Sequence, residues 1–167
     1  MSDKEITRWH SPRLQQSVQL VRWGHFGTPV LLFPTAGGDA EEAERFHLIG
    51  AIRPLIDAGR IKVYCMDSVA GKTWISGEHS DAYCSKVQNL FDAFVYHEVV
   101  PAIRQDTASE GIEIIATGAS IGAFNAVASI CRHPDVFKMA IGMSGTYNLA
   151  RFLNAPPNQD FYFSSPI

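Results

Sequence analysis

The stretch EIIATGASIGAFNAVA, Glu113 to Ala128, decides the fold. An apolar run of β type breaks into Gly118-Ala119-Ser120-Ile121-Gly122, and small apolar residues resume at once, as a helix would have them. A strand that turns directly into a helix brings the two so close that side chains two residues either side of the turn would collide. Glycine at both positions admits that approach. The residue between them takes a strained backbone and projects its side chain off the sheet. A serine there presents its hydroxyl as a nucleophile. The N–H of Ile121, at the helix N-terminus, then points toward the oxyanion that attack on a carbonyl creates. The bland alternative is that Ser120 only caps the helix; the strand before it and the helix after it favour the nucleophile.

Working outward, the same grammar repeats. Residues 4–11 and 16–26 read as two extended segments around turn residues, a β-hairpin. VLLFP (30–34) is a short continuous apolar run, typical of a strand covered on both faces. TAGGD follows, with Asp39 as a candidate N-cap, and a helix is predicted over 41–57, kinked or broken at Pro54 and ended by Gly59. IKVYCMD (61–67) is the next strand, and SVAGKTWISGEHSD a long polar loop with Trp74 at its middle. Asp81 would cap a long helix over 82–106. Its Val87, Leu90, Phe91, Phe94, Val95 and Val99 form an apolar stripe, and Pro101 interrupts it. The strand at 111–118 and the helix after Ser120 come next, the latter ending before Pro134. VFKMAIGMSG (136–145) holds the fourth core strand, TYNLARFLNAPP one helical turn, and NQDFYFSSPI a loop. Strands alternating with helices imply a mostly parallel sheet with helices on both faces. Ligands of such sheets bind at the carboxyl ends of the strands, where TAGGD, DSVAGKTW and the loop around Ser120 converge.

An oxyanion hole needs a second N–H donor. PTAGGD lies where it comes from in this kind of sheet, with Ala36 the first choice and Thr35 the next. No GK[ST] follows these glycines, so phosphate cradling is disfavoured. Trp74 is read either as a wall of the substrate pocket or as an anchor over the core, the two in balance. Ser144 and Tyr147 border the pocket without a derivable role.

The bulk properties narrow the class. A chain of 167 residues, 46% apolar and 19% charged, suits one globular domain. The net charge of −3 and scattered Lys and Arg give no footprint for nucleic acid. Cys65, Cys84 and Cys131 form no CxxC, and the histidines at 10, 25, 47, 79, 97 and 133 have no metal-binding spacing, so no metal is expected. The N-terminus lacks an apolar signal core and no run reaches membrane-span length; a cytoplasmic protein is the expectation.

In VLLFPTAGGD, VYCMDSVAGKTW and IIATGASIGAFNAVASICRHPDVFKMAIGMSG the chain resembles an α/β-hydrolase of the putative-esterase group. That group also includes S-formylglutathione hydrolase and the mycobacterial mycolyltransferases. The order and spacing match across residues 15–150, with Pro34-Thr35 standing where relatives often have His-Gly. The resemblance implies Ser120 as nucleophile, Ile121 and Ala36 as oxyanion donors, no cofactor, and acyl transfer from esters or thioesters. It also implies a triad completed by an acid and then a histidine on later strands. Here 23 residues follow Ser144 and none is histidine. His133, the one histidine after Ser120, lies roughly 18 Å away along the helix at 1.5 Å per residue, and Asp160 has no such histidine to orient. The expectation is therefore a single incomplete α/β-hydrolase domain over 1–167, its last strands and helix missing, its fourth core strand a bare edge. A complementary chain or C-terminal fragment would complete the sheet and bring the acid and base. Beside this serine esterase stand two alternatives: a non-catalytic binding or structural protein that keeps the framework, and an acyltransferase using the same serine.

Overall fold

Pairing starts in the opening hairpin. β1 (Lys4–Ser11) runs antiparallel to β2 (Gln16–Trp23), from Lys4 opposite Trp23 to Ser11 opposite Gln16. Its turn closes with Gln15 at φ 53° and the Ser11 hydroxyl accepting the Leu14 N–H at 3.1 Å. The computed structural model describes residues 3–148, 153–154, 156 and 158–164. β2 pairs antiparallel with β4 (Ile61–Met66), and all further pairs are parallel. β4 joins β3 (Thr28–Phe33), β3 joins β5 (Ile114–Ala119), and β5 joins β6 (Phe137–Met143). The six-stranded sheet has the order β1-β2-β4-β3-β5-β6, the predicted mostly parallel sheet with its N-terminal hairpin.

Alternation along each strand splits the core into two layers. Leu31, Phe33, Tyr64, Met66, Ile114 and Ala116 face a helical layer made of α5 (Asp81–Phe94), a π-helical turn (Val95–Val99) and α6 (Val100–Asp106). Val21, Trp23, Leu32, Val63 and Cys65 face the other way, onto α1 (Glu42–Arg45), α2 (Leu48–Ala51) and α3 (Arg53–Asp57). The continuous apolar run of β3 reflects this two-sided burial.

Several boundaries differ from the sequence reading. The predicted helix over 41–57 is three short helices: His47 breaks it at φ 63°, and Pro54 sits in the first turn of α3, where a missing N–H costs little. The loop predicted around Trp74 is instead α4 (Val69–Ser76), ended by Gly77 at φ 70°. Its polar composition hid it; two small residues, Ala70 and Gly71, make its buried side. The cap of α5 is Ser80, whose hydroxyl accepts the Tyr83 N–H at 3.2 Å, rather than Asp81. Pro101 does interrupt its helix, but the chain accommodates it with the π-helical turn and continues to Asp106. α7 (Ile121–Arg132) follows Ser120 as predicted. The tail read as loop holds α8 (Gln159–Ser164), capped by Asn158, whose side-chain oxygen accepts the Phe161 N–H at 2.9 Å. The helical turn predicted within 146–157 lies largely outside the described residues.

β6 is the edge expected of the fourth core strand; among the described residues it pairs with β5 alone. Met139, Ile141 and Met143 stand opposite Ile115, Thr117 and Ala119, on the face that α1–α3 cover farther along the sheet. They are 50%, 48% and 38% exposed. That apolar stripe is bare.

Candidate active site

Ser120 ends β5 and caps α7 with φ 57° and ψ −121°, a conformation that L residues rarely adopt. Its side chain makes no capping bond to the helix, which removes the reading as a simple N-cap. Two glycines make the turn possible. A Cβ on Gly118 would lie 2.4 Å from Gly122 C, and one on Gly122 would lie 2.3 Å from Phe33 O. β5 and α7 pass within backbone contact at Gly118, as the sequence argument required, whereas Gly122 makes room for the end of the neighbouring β3. Two further bonds fix the serine: its N–H donates to Met143 O at 3.1 Å, and its carbonyl accepts the Thr146 N–H at 3.2 Å.

The first turn of α7 leaves the Ile121 N–H without an intrahelical acceptor. Across from it, the loop after β3 turns between Thr35 and Gly38, with the Gly38 N–H donating to Thr35 O at 2.9 Å. The two candidates for second donor separate here. The Thr35 N–H donates to Glu42 Oε1 at 3.1 Å, and the Thr35 hydroxyl to Glu42 Oε2 at 2.9 Å. The Thr35 amide is therefore occupied, whereas none of the loop's backbone hydrogen bonds uses the Ala36 N–H. Gly71 of α4 packs against Ala36 so closely that a Cβ would come within 2.7 Å of Ala36 Cα. Neither Glu42 nor Gly71 was singled out from sequence. The acidic first turn of the helix after the loop was the visible signal for Glu42; Gly71 had none.

Ala36, Trp74 and Ile121 meet in one apolar cluster with Phe124, Ala128, Leu153 and Phe161. Trp74 thus shares a cluster with both oxyanion candidates, and among the described residues its buried indole Nε1 has no hydrogen-bond partner. Ser144 takes φ 47° in the loop tied to Ser120, and the Tyr147 hydroxyl lies against Gly142, 2.3 Å from where a Cβ would be. His133 is elsewhere, at the far end of α7. It contacts Asp92 Oδ2 at 3.0 Å and stacks on Tyr96 at 4.3 Å between ring centres. Asp160 Oδ1 accepts from the Asn89 amide at 3.2 Å. Among the described residues no side chain hydrogen-bonds the Ser120 hydroxyl.

Two cysteines are poor candidates for a nucleophile. Burial pushes the thiols of Cys65 and Cys84 above the ordinary cysteine value, so neither is primed as thiolate. A cavity of about 650 Å³ is lined by Thr28, Lys62, Ile115 and Met139 among others. It lies at the amino ends of the parallel strands, opposite Ser120, and opens toward the bare face of β6. No group of His, Cys, Asp and Glu suited to a metal occurs among the described residues. No helix there is long and apolar enough to cross a membrane.

Comparison with known proteins fits this geometry. Several solved structures share the fold. The ferric enterobactin esterase of Salmonella typhimurium is 18% identical with a TM-score of 0.61, over 87% of this chain and 37% of its own. MPT51 of Mycobacterium tuberculosis is 20% identical with a TM-score of 0.65, over 90% and 54%. An S-formylglutathione hydrolase of Agrobacterium tumefaciens is 14% identical with a TM-score of 0.66, over 92% and 65%. The chain thus spans between about a third and two thirds of the length of these proteins. No curated protein matches it in sequence. The profile of the family described as Putative esterase matches residues 68–163, more than half of the chain and the part that contains Ser120. The chain therefore belongs to the putative-esterase family, on the α/β-hydrolase fold.

Proposed function

We propose that this chain carries the nucleophile and oxyanion hole of a serine carboxylic-ester hydrolase. The observation that supports it most is the strained Ser120 between two glycines that tolerate no Cβ, with a loop across from it whose Ala36 N–H makes no backbone hydrogen bond among the described residues. In the reaction, Ser120 Oγ bonds to the carbonyl carbon of an ester or thioester while a histidine takes its proton. The carbonyl oxygen becomes an oxyanion held by the N–H groups of Ile121 and Ala36. The bond to the leaving group breaks as that group takes the proton from histidine. Water then reverses the sequence and frees the acid. An alcohol in place of water would make the enzyme an acyltransferase.

The histidine and its acid come, on this reading, from a segment or chain that completes the single domain at β6. The open edge and the exposed Met139, Ile141 and Met143 support a strand and helix seated there. The free Cys65, Cys84 and Cys131 support a reducing, cytoplasmic setting. The test is burst kinetics with p-nitrophenyl acetate on the natural assembly. A burst matched by an acyl adduct on Ser120 is expected, and an unchanged burst in Ser120→Ala overturns the proposal.

A second reading, a binding protein that keeps the framework, is favoured by the lack of a hydrogen-bonded base at Ser120 among the described residues. Stoichiometric labelling of Ser120 by a fluorophosphonate would argue against it.

A further inference from the structure

Glu42 is 8% exposed, and among the described residues no cation lies within ion-pair distance of its carboxylate. Its oxygens instead accept both donors of Thr35, the N–H at 3.1 Å and the hydroxyl at 2.9 Å. A buried carboxylate without a counter-ion is costly and persists only where its hydrogen bonds do something specific. Here the chain closes around it: a Cβ on Gly38 would lie 1.8 Å from Glu42 Oε2 and 2.7 Å from Pro34 Cβ, so a side chain there would push the carboxylate out of place. Other contacts hold the rest of the loop. The Ser68 N–H donates to Gly38 O at 3.3 Å, the Ala40 N–H to Asp67 Oδ1 at 3.1 Å, and Gly71 backs Ala36.

We infer that Glu42 is a positioning residue for the oxyanion hole. By taking both donors of Thr35, its carboxylate fixes the Pro34–Thr35 peptide and the Thr35 side chain, one residue before Ala36, and leaves the Ala36 N–H as the donor presented to substrate. It touches no reacting atom and acts through Thr35. The inference rests on Ser120 as nucleophile. It predicts that losing the clamp impairs stabilisation of the oxyanion more than binding of the ground-state ester. It also predicts that a neutral isostere suffices: glutamine keeps an oxygen for the Thr35 N–H and can donate to the Thr35 hydroxyl.

Steady-state hydrolysis of p-nitrophenyl acetate by the natural assembly tests this in Glu42→Ala, Glu42→Gln, Thr35→Val and Ser120→Ala. Glu42→Ala should lower kcat by about 100-fold, the scale of a misplaced catalytic group, with KM within about threefold and restoration by Glu42→Gln. Thr35→Val keeps the backbone bond and should fall between; it carries the test if Glu42→Ala fails to fold. An unchanged kcat in both Glu42→Ala and Thr35→Val, a loss confined to KM, or failure of Glu42→Gln to restore kcat overturns the inference. Activity retained by Ser120→Ala overturns instead the reading on which it rests.

Discussion

Replacing Gly122 by alanine would place a methyl group 2.3 Å from Phe33 O and 2.9 Å from Pro34 O. Both oxygens belong to the backbone where β3 ends, so no side-chain rotation relieves the clash. Ordinary contact requires α7 to move off the sheet by about 1 Å, and overpacking of this kind costs about 1–3 kcal/mol. With about 2–4 °C of Tm per kcal/mol for a chain of this length, the melting temperature should fall by about 2–12 °C. The same shift carries Ser120 and the Ile121 N–H away from Ala36, and a 1 Å misplacement costs about 100-fold in rate. Gly50→Ala is the matched control, since nothing lies within 4 Å of its Cβ position and it sits inside α2. It should leave Tm unchanged or raise it slightly, alanine being favoured over glycine in helices by about 1 kcal/mol. Thermal unfolding by circular dichroism measures both. A Gly122→Ala variant melting within about 1 °C of wild type would refute the close-approach argument for the elbow.

Two other consequences concern the sheet away from Ser120. Burial opposes the charge on Asp106, but hydrogen bonds from Lys62 at 2.7 Å and Tyr64 at 2.6 Å prevail and hold its carboxyl below the ordinary value. A carboxyl depressed by folding stabilises above its unfolded value, about 4, and loses that contribution as pH falls through the folded value. Asp106→Asn should therefore be less stable than wild type at pH 7, with the gap in urea midpoint closing below about pH 4; a gap constant down to pH 2.5 would contradict this. At the open edge, Ile141→Lys replaces a side chain 48% exposed. It should leave the melting of the isolated chain within about 0.5 kcal/mol of wild type, raise its solubility, and reduce recovery of any co-purifying polypeptide. A large loss of stability would mean that the face is not bare.

The elbow was legible because its requirement is local. Gly118 makes room for Gly122 within its own strand–turn–helix unit, and that spacing encodes the geometry; the neighbour of Gly122, Phe33 at the end of β3, is not visible from it. Parallel strands were legible for a similar reason, since burial on both faces writes an unbroken apolar run such as VLLFP. α4 was not. Its buried side is Ala70 and Gly71, small because Ala36 presses against it, and that pressure comes from a loop more than 30 residues earlier in the chain. Glu42 was hidden likewise: an acidic residue in a first helical turn looks like a partner for the helix dipole, and only the fold brings Thr35 onto it. The preference for Ala36 over Thr35 as a candidate donor rests on position in the loop; the fold adds that the Thr35 amide is already bonded to Glu42.

Covalent labelling is the sharpest test of Ser120 as the nucleophile. The natural assembly, treated with a fluorophosphonate, should gain one adduct per copy of this chain by intact mass. Peptide mapping should place it on Ser120, and Ser120→Ala should abolish it. Labelling at another residue, or none in an assembly that still hydrolyses p-nitrophenyl acetate, would contradict the assignment.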